Sequence, residues 1–241
     1  TELQLTHRLS AGHRLLGGIE AQRDSQLRQL QATDSLGLVL DDRRSGSRLG
    51  VFVQDDIEWS AAWSTSVGLR YDRYRGGEQA SPRGALIFRP DGRSALKLVA
   101  GSAFRAPNAY ERYYAFDGLY AANPALNAER VATVDLDYST LLGDSTRLGV
   151  GAYRYRASDL IAQALNADGL LQFVNLASAS AHGVDAEVEH ALRRGLDLSL
   201  SVFNLFDRDI QDPVLAGGLP GDSDRIPQPG RGWRLKLGYA F

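Results

Sequence analysis

The chain has 241 residues, a formal net charge of −2 and no cysteine. Those values exclude a disulfide framework and a thiolate metal site, and they speak against a nucleic-acid partner, which favours a strongly basic chain. Hydrophobic residues make up 44% and charged residues 23%, as in an ordinary folded protein, yet no run approaches the ~18 consecutive apolar residues that a membrane helix needs.

Along the chain, strands are predicted near 1–9, 12–23, 48–59, 61–74, 81–90, 94–105, 129–141, 146–161, 171–191, 195–207 and 230–241. Alternation with period two marks them, since a strand sends successive side chains to opposite faces. "WSTSVGLRY" sets Trp63, Thr65, Val67, Leu69 and Tyr71 against Ser64, Ser66, Gly68 and Arg70. "TVDLDY" sets Val134, Leu136 and Tyr138 against Thr133, Asp135 and Asp137, and "RLGVGA" alternates Leu148, Val150 and Ala152 with glycines. "VDAEVEH" and "LDLSLSV" repeat the pattern with Asp185, Glu187 and Glu189, then Asp197, Ser199 and Ser201, on the polar side. The chain closes on "GWRLKLGYAF", where Trp233, Leu235, Leu237, Tyr239 and Phe241 share one face. Successive carboxylates would be costly in a dry core and cost little against water. The alternation therefore fits either a soluble sheet packed on a core or a barrel wall with lipid outside and water inside.

The connections decide between these. Tight turns fall at "SAGH", Ser60–Ala61, "DGRS", "LGDS" and "LRRG", rich in turn-forming residues. Between them lie long polar segments at 24–47, 106–128, 162–170 and 208–229, with a shorter one at 75–80. Short turns at one rim and long loops at the other are the pattern of an outer-membrane barrel. Aromatics such as Trp59, Trp63, Tyr71, Tyr74, Phe104 and Tyr138 fall near strand ends, where interfacial girdles sit. No amphipathic helix stands out, although "NAYERYYAF" has room for one turn, and nothing resembles a linker between domains. Methionine is absent even at position 1 and no leader precedes Thr1, so the chain is expected to be a mature or excised piece of something longer.

Several motifs resemble the C-terminal barrel region of TonB-dependent outer-membrane receptors. They are "GVFVQDDIEW" with "SVGLRYDRY", then "SPRGALIFRP", then "LKLVAGSAFRAPNAYERYY" with its FRAP box at Phe104–Pro107. "NPALNAER", "LLQFVNLASASAHGVDAEVE", "LSVFNLFDR" and "IPQPGRGWRLKLGYAF" follow in family order. The resemblance covers nearly the whole chain. It implies an all-β, antiparallel transmembrane β-barrel, or partial barrel, of about 10–12 strands, with short periplasmic turns and long extracellular loops. The whole of 1–241 is then one barrel domain without the family's plug, and family barrels have about 22 strands. An odd count of eleven places Thr1 on the side opposite residue 241, so either the true count differs by one or a strand is missing upstream.

The resemblance also implies a location in the outer membrane of a Gram-negative bacterium and energised import of a scarce chelate. A ferric siderophore is the first expectation and cobalamin the second. Partners would be outer-membrane lipid, the barrel-assembly machinery, which reads the Trp233–Phe241 stripe, and TonB if a plug lies upstream. The runner-up is a plugless passive pore or a structural remnant. Ligand-binding candidates lie in the 105–128 loop: Arg105, Tyr110, Arg112, Tyr113, Tyr114 and Tyr120, with Phe116 beside them. Arginine pairs with anionic chelates and tyrosine offers flat faces and hydroxyls; the alternative is a loop that packs on its own aromatics. No cofactor or metal is expected. His7, His13, His182 and His190 are scattered, and 108–122 lacks the histidine that haem receptors of this family carry there. Ser180, His182 and Asp185 do not assemble into a nucleophilic site, since nothing orients the histidine or supplies an oxyanion hole, so the chain is not expected to be an enzyme.

Overall fold

The computed structural model describes residues 1–34, 37–193, 196–209, 211–213, 225–227 and 229–239. It is built almost wholly of strands: β1 (Glu2–Ser10), β2 (His13–Thr33), β3 (Gly37–Glu58), β4 (Trp63–Tyr74), β5 (Gly77–Phe88) and β6 (Ser94–Arg105). A one-turn helix, α1 (Ala109–Tyr113), and a two-residue β7 (Tyr120–Ala121) precede β8 (Glu129–Leu142), β9 (Thr146–Leu165), β10 (Leu171–Arg193) and β11 (Leu196–Phe203). β12 (Gln211–Pro213) and β13 (Arg225–Pro227) pair only with each other, and β14 (Gly232–Tyr239) ends the described chain.

One antiparallel sheet runs β1-β2-β3-β4-β5-β6-β8-β9-β10-β11-β14, so each strand pairs with its neighbour in sequence apart from the short elements. Eleven strands lie on this path. Strict alternation over an odd number makes β1 and β14 run in the same direction, and these two are the edges of the sheet as described.

The two faces divide as the alternation predicts, and none of the described residues covers the apolar one. Trp63, Val67, Leu69 and Tyr71 on β4, Val134, Leu136 and Tyr138 on β8, and Trp233, Leu235, Leu237 and Tyr239 on β14 are all exposed, Leu235 at 71%. Buried apolar side chains among the described residues are only Leu126, Ala128, Ile161, Ala162, Ala181 and Val202, far too few for the core of a soluble domain. The accessible area of 16193 Å² compares with about 10,600 Å² expected of a compact monomer of this mass. Phe241, the last member of the terminal stripe, lies outside the described residues, as do parts of the "LRRG" turn and most of 208–229.

The opposite face holds most of the charges and pairs the most enclosed of them. Asp72, with no exposed side-chain surface, accepts from Arg48 Nε at 3.0 Å and Arg70 Nε at 2.7 Å, while Arg70 Nη2 reaches Glu20 at 2.7 Å. Room for this network exists because position 50 is glycine: a Cβ there would sit on the Arg70 guanidinium and the Asp72 carboxylate. Lower on the same face Asp56 binds Arg14 (2.8 Å), Ser66 (2.7 Å) and Gln54 (2.7 Å), and Glu187 accepts from Ser201 at 2.7 Å. A buried carboxylate is tolerated only with such partners.

Several predicted loops are strand. Segment 24–47 is not a loop: β2 continues to Thr33 and β3 begins at Gly37, making one tall hairpin. An ion pair links the two strands, Arg28–Asp41 at 2.7 Å, and Arg44–Asp42 at 2.6 Å neutralises charge along β3. Strand built with water on both sides needs no apolar alternation, so the periodicity that marks the other strands is missing. Likewise β9 extends through 162–165, so the expected 162–170 loop shrinks to 166–170 before β10 begins at Leu171. The 75–80 segment shrinks to a turn at Arg75–Gly76, with Gly76 at φ 97°. In the other direction, the strand expected to reach 207 stops at Phe203. Asn204 adopts φ 51°, a left-handed conformation that asparagine tolerates, and its side chain clamps both the N–H and the C=O of Arg208 (2.9 and 2.8 Å).

The division of faces is directly testable. Leu136→Arg puts a charge on the uncovered apolar face and is expected to cost about 2–4 kcal/mol of folding stability in lipid. Asp137→Lys, one residue on and facing the other way, leaves it nearly unchanged. Urea titration of the protein folded into vesicles reads both.

Candidate ligand site at the loop rim

The 106–128 loop lies above the ends of the shorter strands, between the tall β2–β3 and β9–β10 hairpins, and its backbone is fastened by polar contacts. Asn108 caps α1: its Oδ1 accepts from Glu111 N (2.9 Å) and the Glu111 carboxylate accepts from Asn108 N (2.8 Å), a capping box. On one side Gln29 Nε2 donates to Ala109 O (2.9 Å) and Tyr114 OH to Gln31 Oε1 (2.7 Å), which ties the helical turn to β2. On the other side β7 lies parallel to β10 at Leu171–Gln172. Asn123 Nδ2 donates to Phe173 O (2.8 Å), Gln172 Nε2 to Ala122 O (2.9 Å) and Asn127 N to Asn175 Oδ1 (2.9 Å). Irregular backbone has no ladder of its own, so side-chain amides supply the missing partners.

The six predicted site residues separate into three roles. Arg105 is a clamp at the loop's foot: its Nε donates to Glu129 (2.6 Å) and its guanidinium also pairs with Glu111 (2.9 Å). The second Glu129 oxygen accepts from Ile161 N at 2.8 Å. The Arg105 hydrogen bond holds the Glu129 carboxyl below its ordinary range, and the same contact, with Glu111 adding to it, raises Arg105. Arg105 is therefore engaged by the protein's own carboxylates. Tyr110, Tyr114 and Tyr120 form a cluster with Phe173, with ring centroids 4.6, 5.1 and 5.7 Å apart along the series Tyr110–Tyr114, Tyr114–Tyr120 and Tyr110–Phe173. Burial raises the Tyr110 phenol above its usual range, although nearly half its surface stays exposed.

Arg112 and Tyr113 face a different space. Arg112 is 4% exposed and donates to Arg75 O (3.0 Å) and Leu126 O (2.9 Å); its Nε has no partner. A side chain on Gly76 would collide with that guanidinium. Beside it opens a cavity of about 290 Å³, walled by Arg44, Arg48, Arg75, Arg112, Tyr74 and Tyr113 with Asp24 at its margin. Arg44 stacks over the Tyr113 ring at 3.6 Å and is paired with Asp42. Arg48 is paired with Asp72. Arg75 and Arg112 bond only to backbone carbonyls among the described residues. Two guanidiniums without carboxylate partners against the single Asp24 carboxylate leave the cavity net positive for an anion. Arg44, Arg48, Arg75, Gln29, Gln31 and Phe173 were not foreseen as site residues, because only the pairing of distant strands brings them to this loop. Among the described residues no group of His, Asp and Glu is arranged to hold a metal ion.

The sequence matches the TonB dependent receptor-like β-barrel family over residues 1–241. The chain belongs to that family, whose members and structural neighbours are receptors and transporters rather than enzymes. Solved structures agree on the fold. The ferric enterobactin receptor PfeA of Pseudomonas aeruginosa, in complex with enterobactin, superposes with a TM-score of 0.70 at 20% identity, covering 87% of this chain and 36% of the receptor. The FrpB iron transporter of Neisseria meningitidis gives 0.72 at 16% identity, over 99% of this chain and 39% of that one. The siderophore receptor PirA of P. aeruginosa gives 0.67 at 21%, over 84% and 38%. The chain thus spans little more than a third of these proteins. No curated protein sequence matches it significantly. The sheet is accordingly wall of a transmembrane β-barrel, its uncovered face turned to lipid and its charged face to the lumen.

The clamp gives the loop a pH dependence. Because the Glu129 carboxyl is lowered in the folded protein, its stabilising effect is complete above its unfolded value near 4.5 and is lost as pH falls through the lower, folded value. Limited proteolysis within 106–128 is expected to accelerate on acidification below that point, and Glu129→Gln to show fast cleavage already at neutral pH.

Proposed function

We propose that this chain is the wall of an outer-membrane receptor that takes up a scarce, anionic metal chelate, a ferric siderophore, with energy supplied through TonB. Family membership supports the receptor reading, and the solved neighbours named for siderophores and iron support the ligand class. The observation that carries it is the pairing, at one rim, of two guanidiniums without carboxylate partners and an aromatic cluster with an exposed face. A ferric chelate with anionic oxygens and flat aromatic arms meets both needs: Arg75 and Arg112 balance its charge, and Tyr110 stacks on its rings. Import would further need a plug and a TonB-contacting segment elsewhere in the protein. The Trp233–Tyr239 stripe on an edge strand suits recognition by the barrel-assembly machinery.

The test uses the complete receptor and ferric enterobactin as probe, read by quenching of tryptophan fluorescence. Arg75→Gln and Tyr110→Ala are each expected to weaken binding about tenfold, ~1.4 kcal/mol, with little conductance across a planar bilayer. Steady open conductance with no chelate binding would instead identify a passive pore and sink the receptor reading.

A further inference from the structure

Two arginines of the rim cavity are paired with aspartates, and both are held in the same way. Arg48 gives its Nε to Asp72 Oδ1 (3.0 Å) and lies over the Phe104 ring at 5.7 Å. Arg44 gives its Nε to Asp42 Oδ2 (2.6 Å) and lies over the Tyr113 ring at 3.6 Å. In each case a carboxylate takes one side of the guanidinium and a ring takes one face. The Nη end, which carries the other donors of the fork, bonds to none of the described residues. Arg105 is held differently, with its Nε given to Glu129 and its Nη groups to Glu111, so that no donor edge is left. Arg44 and Arg48 both line the cavity beside Arg75 and Arg112, whereas Asp42 and Asp72 stand behind its wall.

The support for Arg48 is assembled from three strands. Gly50 stands in register between Glu20 on β2 and Asp72 on β4. With no side chain at 50, Asp72 leans across β3 to Arg48, its diagonal neighbour. Arg70 grips the same carboxylate through Nε and Nη2, both at 2.7 Å, and is held in turn by Glu20 at 2.7 Å. Asp72 has no exposed side-chain surface, so its orientation is set by these donors and not by water. A cation needed only for its charge can stay mobile. A fork aimed at a ligand gains by losing its rotamer freedom beforehand, through partners that do not occupy its working end.

We propose that Arg44 and Arg48 contact the chelate, their Nη ends gripping its anionic oxygens, and that Asp42 and Asp72 are positioning residues that aim them. The assignment rests on the receptor reading given above and deepens it. An edge of two neighbouring anionic oxygens, as in a carboxylate or a catecholate, matches the end of a guanidinium fork. The sign of one effect separates aim from charge. Removing a carboxylate beside an anion site raises the local positive potential, so charge alone predicts tighter binding. Loss of aim predicts weaker binding.

The experiment titrates the complete receptor in detergent with ferric enterobactin, for wild type, R48Q, D72N and R48Q/D72N, and for R44Q, D42N and R44Q/D42N. R48Q and R44Q are each expected to weaken binding about tenfold, and D72N and D42N about fivefold. Each double variant should match its arginine single, because the aspartate acts only through the arginine. Asp56→Asn, which removes a paired carboxylate lower on the same face, should leave affinity unchanged. Asp42 lies in strand with water on both sides, so its set answers the question even if D72N, which strands the enclosed Arg70, does not fold. Wild-type affinity in R44Q and R48Q overturns the contact. Unchanged or tighter binding in the aspartate variants, or a double variant weaker than its arginine single, overturns the positioning role. Both results leave the receptor reading standing. A folded wild type that binds no chelate overturns that reading and this assignment together.

Discussion

An apolar face with nothing packed on it is the constraint from which the rest of this structure follows. Hydrocarbon cannot satisfy backbone N–H and C=O groups, so each strand must be paired laterally along its whole crossing. The unbroken antiparallel order from β1 to β14 does that with short turns at one end. Every second side chain then points to lipid, and every charge needed for solubility or binding is displaced to the alternate positions. The lumen face gathers the ions, and where they are most enclosed they are paired. Asp72 shows the result, enclosed between two arginines over a glycine that leaves them space.

Above the membrane that constraint lifts, and the architecture changes character. The tops of β2–β3 meet water on both sides and are held by their ladder and the Arg28–Asp41 ion pair instead of burial. Between the two tall hairpins the chain need not remain a strand. The 106–128 loop accordingly trades the ladder for a capping box, side-chain amides bonded to backbone and one short parallel pairing. This substitution is what creates a site. A loop fixed by amides and by the Arg105 clamp can hold Arg112 deep against backbone carbonyls without giving it a carboxylate, so positive charge is stored at the rim instead of being neutralised there.

Charge pairing also distinguishes working arginines from structural ones. Arg105 looked like a ligand residue from its place beside the FRAP box, but two glutamates occupy it. Arg75 attracted no attention in sequence, yet its position across the cavity from Arg112 makes it a candidate for anion binding.

Alternation, tight turns and ordered family motifs in the sequence were enough to specify an antiparallel membrane wall, which face meets lipid, and strand positions from β4 through β9 to within a few residues at their membrane ends. These are local properties: a period of two is written in adjacent residues, and lipid selects it without regard to distant contacts. What tertiary structure alone decided was the height of the hairpins and the composition of the site. Strand in water carries no hydrophobic signature, so 24–47 read as loop until its partner across the hairpin was known. Likewise, no spacing along the chain reveals that Gln29 and Gln31 hold α1, that Phe173 completes the tyrosine cluster, or that Arg112 lies beneath Gly76. Those meetings depend on strand register across the sheet, which sums many pairings between segments far apart in sequence.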